Sequence, residues 1–324
     1  MKNELIQQGL AAIEDNLIAV VDSEIEILRD ASQHILTSGG KRIRPQMALL
    51  AYLAAGGHDL DAVIPVATAV EMVHTATLVH DDINDHSLTR RGKATIHSIW
   101  GRTFALLTGD YLFTKVYELM APYGPEFNII MAKATSELVE GETLQAAAAK
   151  SGTIDRETYK RIIALKTASL FDAAAHMGAL LATDDEDIVQ ALSSYAYNLG
   201  LTFQIVDDIL DIVGDPEEMG KPVGIDVIQG RGVMVAQGSN GISEHTPDGV
   251  ALAQTTISAT AVANPADPFQ QMMAQLRESG AVEIAKIQAV EMAQRAKTAL
   301  ESVPSSAART ELYRLVDLVL ERQR

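Results

Sequence analysis

Two copies of one acidic pattern, Asp-Asp-x-x-Asp, stand out in this chain because each lies in apolar, helix-patterned sequence. In a helix, residues four apart share a face, so the first and last aspartates of each copy point the same way. Converging carboxylates on a partly buried face are costly unless a cation neutralises them, and Mg²⁺ prefers oxygen ligands and shares them with substrate phosphates. A lone Asp-Asp pair is usually a solvated helix end. Two full copies instead predict a magnesium site for a diphosphate, formed by Asp81, Asp82, Asp85, Asp207, Asp208 and Asp211.

Three groups of basic residues supply the charge that an anionic substrate needs. The segment 39–45, GGKRIRP, is a glycine turn that leads cations into a helix start, which is a natural anion site. Arg90-Arg91-Gly92 follows the first acidic helix, and Lys166-Thr167 sits inside an apolar helical stretch where lysine needs a partner. Each group alone is typical of an ordinary surface. Together with two acidic helices, they indicate a site for anionic substrates.

Helical periodicity positions these residues. Aromatic residues are only 5% of the chain, strand-like alternation is scarce, and Thr183 followed by Glu186 resembles a capping box. Helices are predicted over 14–36, 46–55, 61–86, 97–120, 126–149, 155–182, 184–213, 268–301 and 306–323. The stretch from Gly238 to Pro268 is rich in small residues and almost uncharged, so it interrupts the pattern as a long irregular excursion.

Each acidic helix carries two kinds of face. On the first helix, one spacing predicts a packing stripe and another predicts a polar edge that faces a cavity. The packing stripe comprises Met72, Ala76, Val79 and Ile83, whereas the polar edge comprises His74, Thr77, Asp81 and Asp85. The second helix places Gly200, Gln204, Asp207 and Asp211 on one face. We expect the two polar faces to meet across a shared cavity.

Composition limits the class of protein further. The chain has 324 residues, is 47% hydrophobic and carries a formal charge of -17, which argues against a nucleic-acid partner. No linker divides the first 230 residues, so one domain is expected. The absence of cysteine excludes disulfides and thiolate chemistry and fits a cytoplasmic protein. The N-terminus lacks a signal-peptide pattern, and no uninterrupted apolar run reaches the roughly 20 residues of a transmembrane segment.

The motifs together resemble the polyprenyl diphosphate synthase family of trans-prenyltransferases. Besides GGKRIRP, the matching stretches are EMVHTATLVHDDIND at 71–85, RRG at 90–92, GDYLF at 109–113, GETLQ at 141–145, LKTASLF at 165–171, LTFQIVDDILDIVGD at 201–215, GKPVGID at 220–226 and LRESGAVEIA at 276–285. The resemblance implies an all-α, single-domain helical bundle with a central active-site cavity (the isoprenoid synthase fold) over 1–324, atypical at about 232–268. It also implies a homodimer, and the long apolar product implies membrane association for its release.

Family members add isopentenyl diphosphate head to tail to an allylic diphosphate such as farnesyl or geranylgeranyl diphosphate. By resemblance, the six aspartates hold three Mg²⁺ ions per site, Asp81 and Asp85 two of them and Asp207 the third. The residues that the resemblance assigns to isopentenyl diphosphate are Lys41, Arg44, His74 and Arg91. Those that it assigns to the allylic diphosphate and the reaction are Arg90, Lys166, Thr167, Gln204, Lys221 and Arg231.

Product length is predicted from side-chain size along the first acidic helix. Ala76 and Thr77, about one turn before Asp81, are small, and Val73 lies deeper. Short-chain members of the family carry bulky aromatic residues near this position. No large side chain blocks the path on this helix, so we expect a product longer than C20.

The resemblance weakens after Gly230, and three other readings compete with it. Where the family has Lys-x-Thr-Leu-Pro, this chain has Arg231 followed by Gly-Val-Met-Val, which keeps open a non-catalytic or partner-dependent subunit of a heteromeric prenyltransferase. A head-to-head condensing enzyme or terpene cyclase would lack the GGKRIRP element. A ferritin-type di-metal bundle would need a second Glu-x-x-His besides Glu71 to His74, and the sequence has none.

Overall fold

The computed structural model describes residues 2–151, 155–213, 278 and 280–321, and within these ranges the chain is almost entirely helical, as expected. The α-helices, numbered in chain order, are α1 (Lys2–Val20), α2 (Glu26–Leu36), α3 (Ile43–Ala54), α4 (Leu60–Asn84), α5 (Ile96–Trp100), α6 (Arg102–Met120), α7 (Pro125–Ser151), α8 (Arg156–Ile163), α9 (Ser169–Leu180), α10 (Glu186–Val213), α11 (Ala281–Ala299) and α12 (Ala307–Glu321). A π-helical segment, Ala164–Ala168, joins α8 to α9, and a 3₁₀ turn, Leu300–Ser302, follows α11.

Aspartate side chains cap several helix starts, where backbone N–H groups lack partners within the helix. Asp59 accepts from Asp61 N at 3.1 Å, and Asp155 accepts from Thr158 N at 2.7 Å. The capping box predicted at Thr183 and Glu186 is wrong. Asp185 caps α10 by accepting from Asp187 N at 3.0 Å, while Thr183, two residues earlier, accepts from Asp185 N. An aspartate immediately before the helix is better placed to reach these amides.

Two predicted helices are divided. The prediction over 14–36 is interrupted at 21–25, where Ile25 is extended with φ -84° and ψ 98°, and the part before the break starts much earlier, at Lys2. The prediction over 97–120 is broken at Gly101, whose φ of 86° ends α5 and begins α6. Periodicity missed both breaks because the apolar spacing continues through them, whereas φ > 0 at a glycine is a local backbone property.

Helix α4 is the centre of the bundle and carries the first acidic motif at its C-terminal end. It packs against α3 on one side and α6 on the other, while α10 packs against α9 and α11. The predicted packing stripe is confirmed, since Met72, Ala76, Val79 and Ile83 are all buried. By length and composition α4 could cross a membrane, with a mean hydropathy of 1.6, but 67% of that apolar window is buried inside the protein. Its hydrophobicity is that of a core helix.

A short hairpin follows the first acidic helix and carries the two arginines. Strands β1 (Thr89–Arg90) and β2 (Lys93–Ala94) pair antiparallel, and Gly92 adopts φ 75° in the turn between them. Lys93 Nζ donates to Thr37 O at 2.8 Å, and His34 Nε2 lies 2.7 Å from Ala94 O. These contacts anchor the hairpin to α2, so the arginines are held beside the glycine turn that precedes α3.

Candidate active site

A cavity of about 720 Å³ lies where the glycine turn before α3, α4, the π segment and α10 converge. Both acidic helices contribute to it, through part of each predicted polar face. Asp85, Gly200 and Asp211, which were expected on the same faces, do not line this space. The predicted site residues on its wall are Lys41, Arg44, His74, Thr77, Asp81, Arg91, Lys166, Thr167, Gln204 and Asp207. Glu71 and Arg42 also line it, so the single space combines three carboxylates with five cations.

Asp81 is the aspartate of the first motif that faces this cavity. Burial raises its pKa to about 6, and the charges of Glu142 and Asp85 add to the rise while Lys166 opposes it. Asp82 points elsewhere: it is buried and accepts from Arg90 Nε at 2.8 Å. Asp82 and Arg90, expected to serve a metal and a diphosphate respectively, are thus bound to one another beside the cavity. Asp85 ends the helix and does not line the cavity.

The second motif shows the same division of orientations. Asp207 lines the cavity, whereas Asp208 and Asp211 are buried within the bundle. Asp208 accepts from Tyr159 Oη at 2.6 Å and from Gln204 Nε2 at 2.9 Å. Gln204 Oε1 in turn accepts from Thr167 Oγ1 at 2.8 Å. The first aspartate of each motif therefore faces the substrate space, and the second is held by neighbouring side chains.

The cations near the glycine turn have distinct functions. Arg42 is structural: it binds Glu14 at 2.6 Å, Glu71 at 2.8 Å and Leu36 O, which ties α1, α2 and α4 together. Arg44 lies over the Phe171 ring at 4.9 Å, and burial lowers its pKa to about 10 against the opposing charges of Glu71 and Asp207. A guanidinium remains charged at such a pKa, so Arg44 presents a permanent positive charge to the cavity.

Arg91 and His74 complete this side of the site. Arg91 adopts φ 51° and donates from Nη1 to Gly39 O, so the hairpin closes over the glycine turn. Gly40 adopts φ 147°, which other residues rarely adopt, and this explains the second glycine of the turn. Burial, reinforced by the charges of Arg44 and Arg91, lowers the pKa of His74 well below its usual value. His74 is therefore a neutral hydrogen-bonding group among arginines.

A π-helical turn positions Lys166 and Thr167 on the cavity wall. Two glycines let it pack closely: a Cβ on Gly141 of α7 would stand 2.6 Å from Lys166 N, and one on Gly200 of α10 would stand 2.8 Å from Ala168 Cα. Lys166 pairs with Glu142 and donates to Gln145 Oε1 at 2.7 Å. Such turns often occur at functional sites because they redirect side chains within an otherwise regular helix.

Sequence reasoning missed Glu142, Gln145, Tyr159 and the π turn. The sequence contained a usable signal for the first two. Glu142 and Gln145 are three residues apart on one helix face. Lys166, alone in an apolar helical stretch, is a lysine that needs such a partner. Tyr159 gave no signal, since an aromatic residue at helical spacing is usually a core residue. The π turn reflects packing between α7 and α10, which no local pattern encodes.

The residues assigned to product length are separated by the structure. Thr77 lines the cavity, whereas Ala76 and Val73 are fully buried and do not line it. Lys221 and Arg231, together with the atypical stretch at 232–268, lie outside the described residues.

The residues at this site fit Mg²⁺. Within the described ranges, no three His, Asp or Glu side chains come close enough to enclose a metal by themselves. Mg²⁺ commonly binds through one or two carboxylates, with waters and substrate phosphates completing its shell. Asp81 and Asp207 on one cavity supply such a donor set, and the raised pKa of Asp81 indicates a carboxylate that a cation would stabilise. Glu71 and His74 do not form a ferritin-type site, because Glu71 is bound to Arg42.

Comparisons with known proteins agree with this geometry. The polyprenyl synthetase family model matches residues 25–240. The octaprenyl diphosphate synthase of Escherichia coli (strain K12) is 32% identical over 99% of this chain and 98% of its own length. The heptaprenyl diphosphate synthase component 2 of Geobacillus stearothermophilus is 43% identical over 70% of this chain and 71% of its own. The crystal structure of a decaprenyl diphosphate synthase from Rhodobacter capsulatus superimposes with a TM-score of 0.86, 31% identity and full coverage of both chains.

Proposed function

This chain belongs to the polyprenyl synthetase family and is a prenyltransferase, and we propose that it elongates an allylic diphosphate with isopentenyl diphosphate, head to tail and in the trans configuration, to a product longer than C20. One observation carries the proposal. Asp81 and Asp207, from two different acidic helices, face the same cavity as Lys41, Arg44, Arg91 and Lys166. That arrangement suits two diphosphates, one that must leave and one that must be retained.

The retained diphosphate belongs to isopentenyl diphosphate and suits the glycine-turn side of the cavity. Arg44 and Arg91 offer guanidinium forks that match phosphate oxygens, and Lys41 adds a third cation. His74 is neutral, so it donates one hydrogen bond without further charge. No catalytic carboxylate of the two motifs is needed on this side, because this diphosphate does not depart.

The departing diphosphate suits the opposite side, between the two acidic helices. Asp81 and Asp207, supported by the remaining aspartates of both motifs, would hold the Mg²⁺ ions there, three by the family pattern. Bound Mg²⁺ would supply the charge neutralisation that lets a diphosphate leave. Lys166 provides a cation on the same wall. Its ammonium group is oriented by an ion pair with Glu142 and a hydrogen bond to Gln145. Arg90 reaches this side only through Asp82, to which it is bound.

The reaction breaks the allylic C–O bond and forms a C–C bond to the isopentenyl double bond, after which a proton is lost to the released diphosphate. Thr167 and Gln204 lie on the cavity wall beside Lys166 and Asp207, where this exchange would occur. Thr167 donates to Gln204, so its oxygen lone pairs are available to the cavity. An electron-rich oxygen there would favour positive charge on the allylic carbon.

The growing chain would extend past Thr77, which lines the cavity with Leu78, Leu138 and Phe203. Thr77 is small and its hydroxyl is satisfied within the helix, since Oγ1 donates to His74 O at 2.7 Å. A small residue here leaves room for an isoprenoid beyond C20, so Thr77 is the chain-length residue of this helix that contacts product directly.

We further propose that the protein is a homodimer formed through α6 and α7. Of the described surface, α6 and α7 carry six of the fifteen exposed large apolar side chains, including Tyr117 at 74% and Ile129 at 66%. A groove of about 460 Å³ runs between the two helices over Met120 and Met131. The enzyme is expected in the cytoplasm, associating with membrane to release its product.

A partner-dependent subunit is the second candidate. The observation that favours it is the 43% identity with a protein named as component 2 of a heptaprenyl diphosphate synthase, a name that implies another component. The presence of Asp81 and Asp207 on one cavity with Lys166 favours catalysis in this chain.

One incubation separates the two candidates. Purified protein alone, with Mg²⁺, labelled isopentenyl diphosphate and farnesyl diphosphate, should yield a ladder of extractable prenyl products that ends at one length beyond C20. The Asp81→Asn variant should yield no ladder of prenyl products. Product formation only after a second protein is added would support the subunit reading, and a ladder that stops at or below C20 would overturn the length assignment.

A further inference from the structure

We infer that Tyr159 is a positioning residue that sets the direction of the hydrogen bonds from Thr167 through Gln204 to Asp208. The inference rests on the proposed function, because it concerns the wall where the allylic group would react. Tyr159 belongs to α8, is 4% exposed, and lies outside the acidic motifs and outside the cavity. Its hydroxyl nevertheless donates to Asp208 Oδ2 at 2.6 Å.

Four side chains form one continuous series of hydrogen bonds. Tyr159 donates to one oxygen of Asp208, and Gln204 Nε2 donates to the other at 2.9 Å. Gln204 Oε1 then accepts from Thr167 Oγ1 at 2.8 Å. The series crosses from α8 through α10 to the π segment. It ends at a threonine on the cavity wall, so a contact outside the cavity is connected to one inside it.

Asp208 determines the direction of the whole series. A carboxylate only accepts hydrogen bonds, so Gln204 must turn its NH₂ group toward Asp208 and its carbonyl toward Thr167. Thr167 then has to donate its single hydroxyl proton to that carbonyl. Its lone pairs, rather than its proton, face the cavity. With the opposite amide orientation, Thr167 would instead accept from Gln204 and point its proton at the substrate.

Tyr159 matters because it orients the carboxylate. Two donors, one on each oxygen, fix the plane of Asp208 and hold an oxygen where Gln204 Nε2 can reach it. Removing the phenol hydroxyl removes one hydrogen bond to Asp208 inside a buried network, where partial satisfaction is costly. Rotation of Asp208 would release Gln204, and release of Gln204 would let Thr167 rotate. The consequence falls on a residue that faces the reacting atoms, although Tyr159 touches none of them.

The test is Tyr159→Phe, with Tyr195→Phe as the matched control. Tyr195 is also buried, and its hydroxyl donates to Leu312 O at 2.7 Å, far from the site, so its loss removes one buried hydrogen bond without touching the series. Both variants should lower the melting temperature. Only Tyr159→Phe should lower kcat, by about tenfold, with the KM for isopentenyl diphosphate within about twofold of wild type.

A double variant distinguishes an effect of Tyr159 that is transmitted through Thr167 from an independent effect on the packing of the site. If Tyr159 acts through Thr167, adding Tyr159→Phe to Thr167→Val should change kcat by less than about twofold, because the end of the series is already lost. A further full tenfold loss would show that Tyr159 acts independently and would overturn the inference.

A crystal structure of metal-free Tyr159→Phe gives a readout that needs no turnover. The Gln204 side chain should leave Thr167, and an unchanged Thr167–Gln204–Asp208 geometry would contradict the inference. This outcome is separable from the proposed function. If the wild-type protein elongates the substrate and Tyr159→Phe has the same kcat, only the inference fails. If the wild-type protein does not elongate it, the result counts against the proposed function, and the crystal structure of Tyr159→Phe still tests the inference.

Discussion

Lys166 of the π segment is ion-paired with Glu142 of α7, and Lys166 lies on the wall of the cavity that Asp81 also lines. The lysine assigned to a diphosphate is therefore already engaged by protein before substrate arrives. A diphosphate has to compete with Glu142 for this cation, while Glu142 also contributes to the raised pKa of Asp81.

Replacing Glu142 by Gln should release Lys166 to the substrate. We expect the KM for the allylic diphosphate to fall about threefold to tenfold, because the competing charge is removed while Gln145 still orients the ammonium at 2.7 Å. Glu126→Gln, exposed near the start of the same helix, is the matched control and should leave the KM unchanged. An increase in KM for Glu142→Gln would mean that Glu142 assists binding instead of competing with it.

Replacing Gly141 by Ala should displace the π segment. The added methyl group would meet Lys166 N at 2.6 Å and Leu165 Cβ at 2.9 Å, and a backbone atom cannot move aside as a flexible side chain can. We expect a loss of about 1–3 kcal/mol in the free energy of unfolding, as for other overpacked sites, together with reduced kcat. Gly124→Ala is the control, since nothing lies within 4 Å of its added Cβ. Equal stability of the two variants in urea titrations would contradict the packing argument.

Replacing Thr77 by Phe should shorten the product. The side chain at this position faces the cavity, so an aromatic ring would block the path that the growing chain takes. Chromatography of extracted products should show the ladder ending at least one isoprene unit earlier, while Thr77→Val, which conserves size, should leave its end unchanged. Ala76→Phe should instead lower the free energy of unfolding, because Ala76 is fully buried and does not line the cavity. An unchanged ladder for Thr77→Phe would place the tunnel elsewhere.

The raised pKa of Asp81 predicts a pH dependence of stability. Burial raises this pKa from 3.8 to about 6, so the folded protein binds the proton more tightly than the unfolded chain does. The free energy of unfolding of the metal-free protein should therefore fall as pH rises from about 4 to 6. Urea unfolding across this range should show a shallower fall for Asp81→Asn than for wild type. Asp15→Asn, an exposed carboxylate of α1, should keep the wild-type slope; identical slopes for all three proteins would refute the assignment.

The sequence was sufficient for features that depend on periodicity and on residue type. The packing stripe of α4 and the meeting of His74, Thr77 and Asp81 with Gln204 and Asp207 on one cavity follow from helical spacing. It was insufficient where tertiary contacts decide. Asp82 and Asp208 look equivalent to their neighbours in the motif, but Arg90 and Tyr159 hold them away from the cavity. Ala76 and Thr77 are adjacent and both small, and only the packing of α4 shows which one faces the substrate space.

The central claim is that both acidic helices bind one departing diphosphate through shared metal ions. A crystal structure of the protein with Mg²⁺ and a non-hydrolysable farnesyl thiodiphosphate tests it most directly. We predict metal ions ligated by Asp81 and by Asp207, with the thiodiphosphate between them and Lys166 turned toward its oxygens. Metal bound at only one motif, or a diphosphate held by the glycine turn and Arg91 alone, would contradict the account.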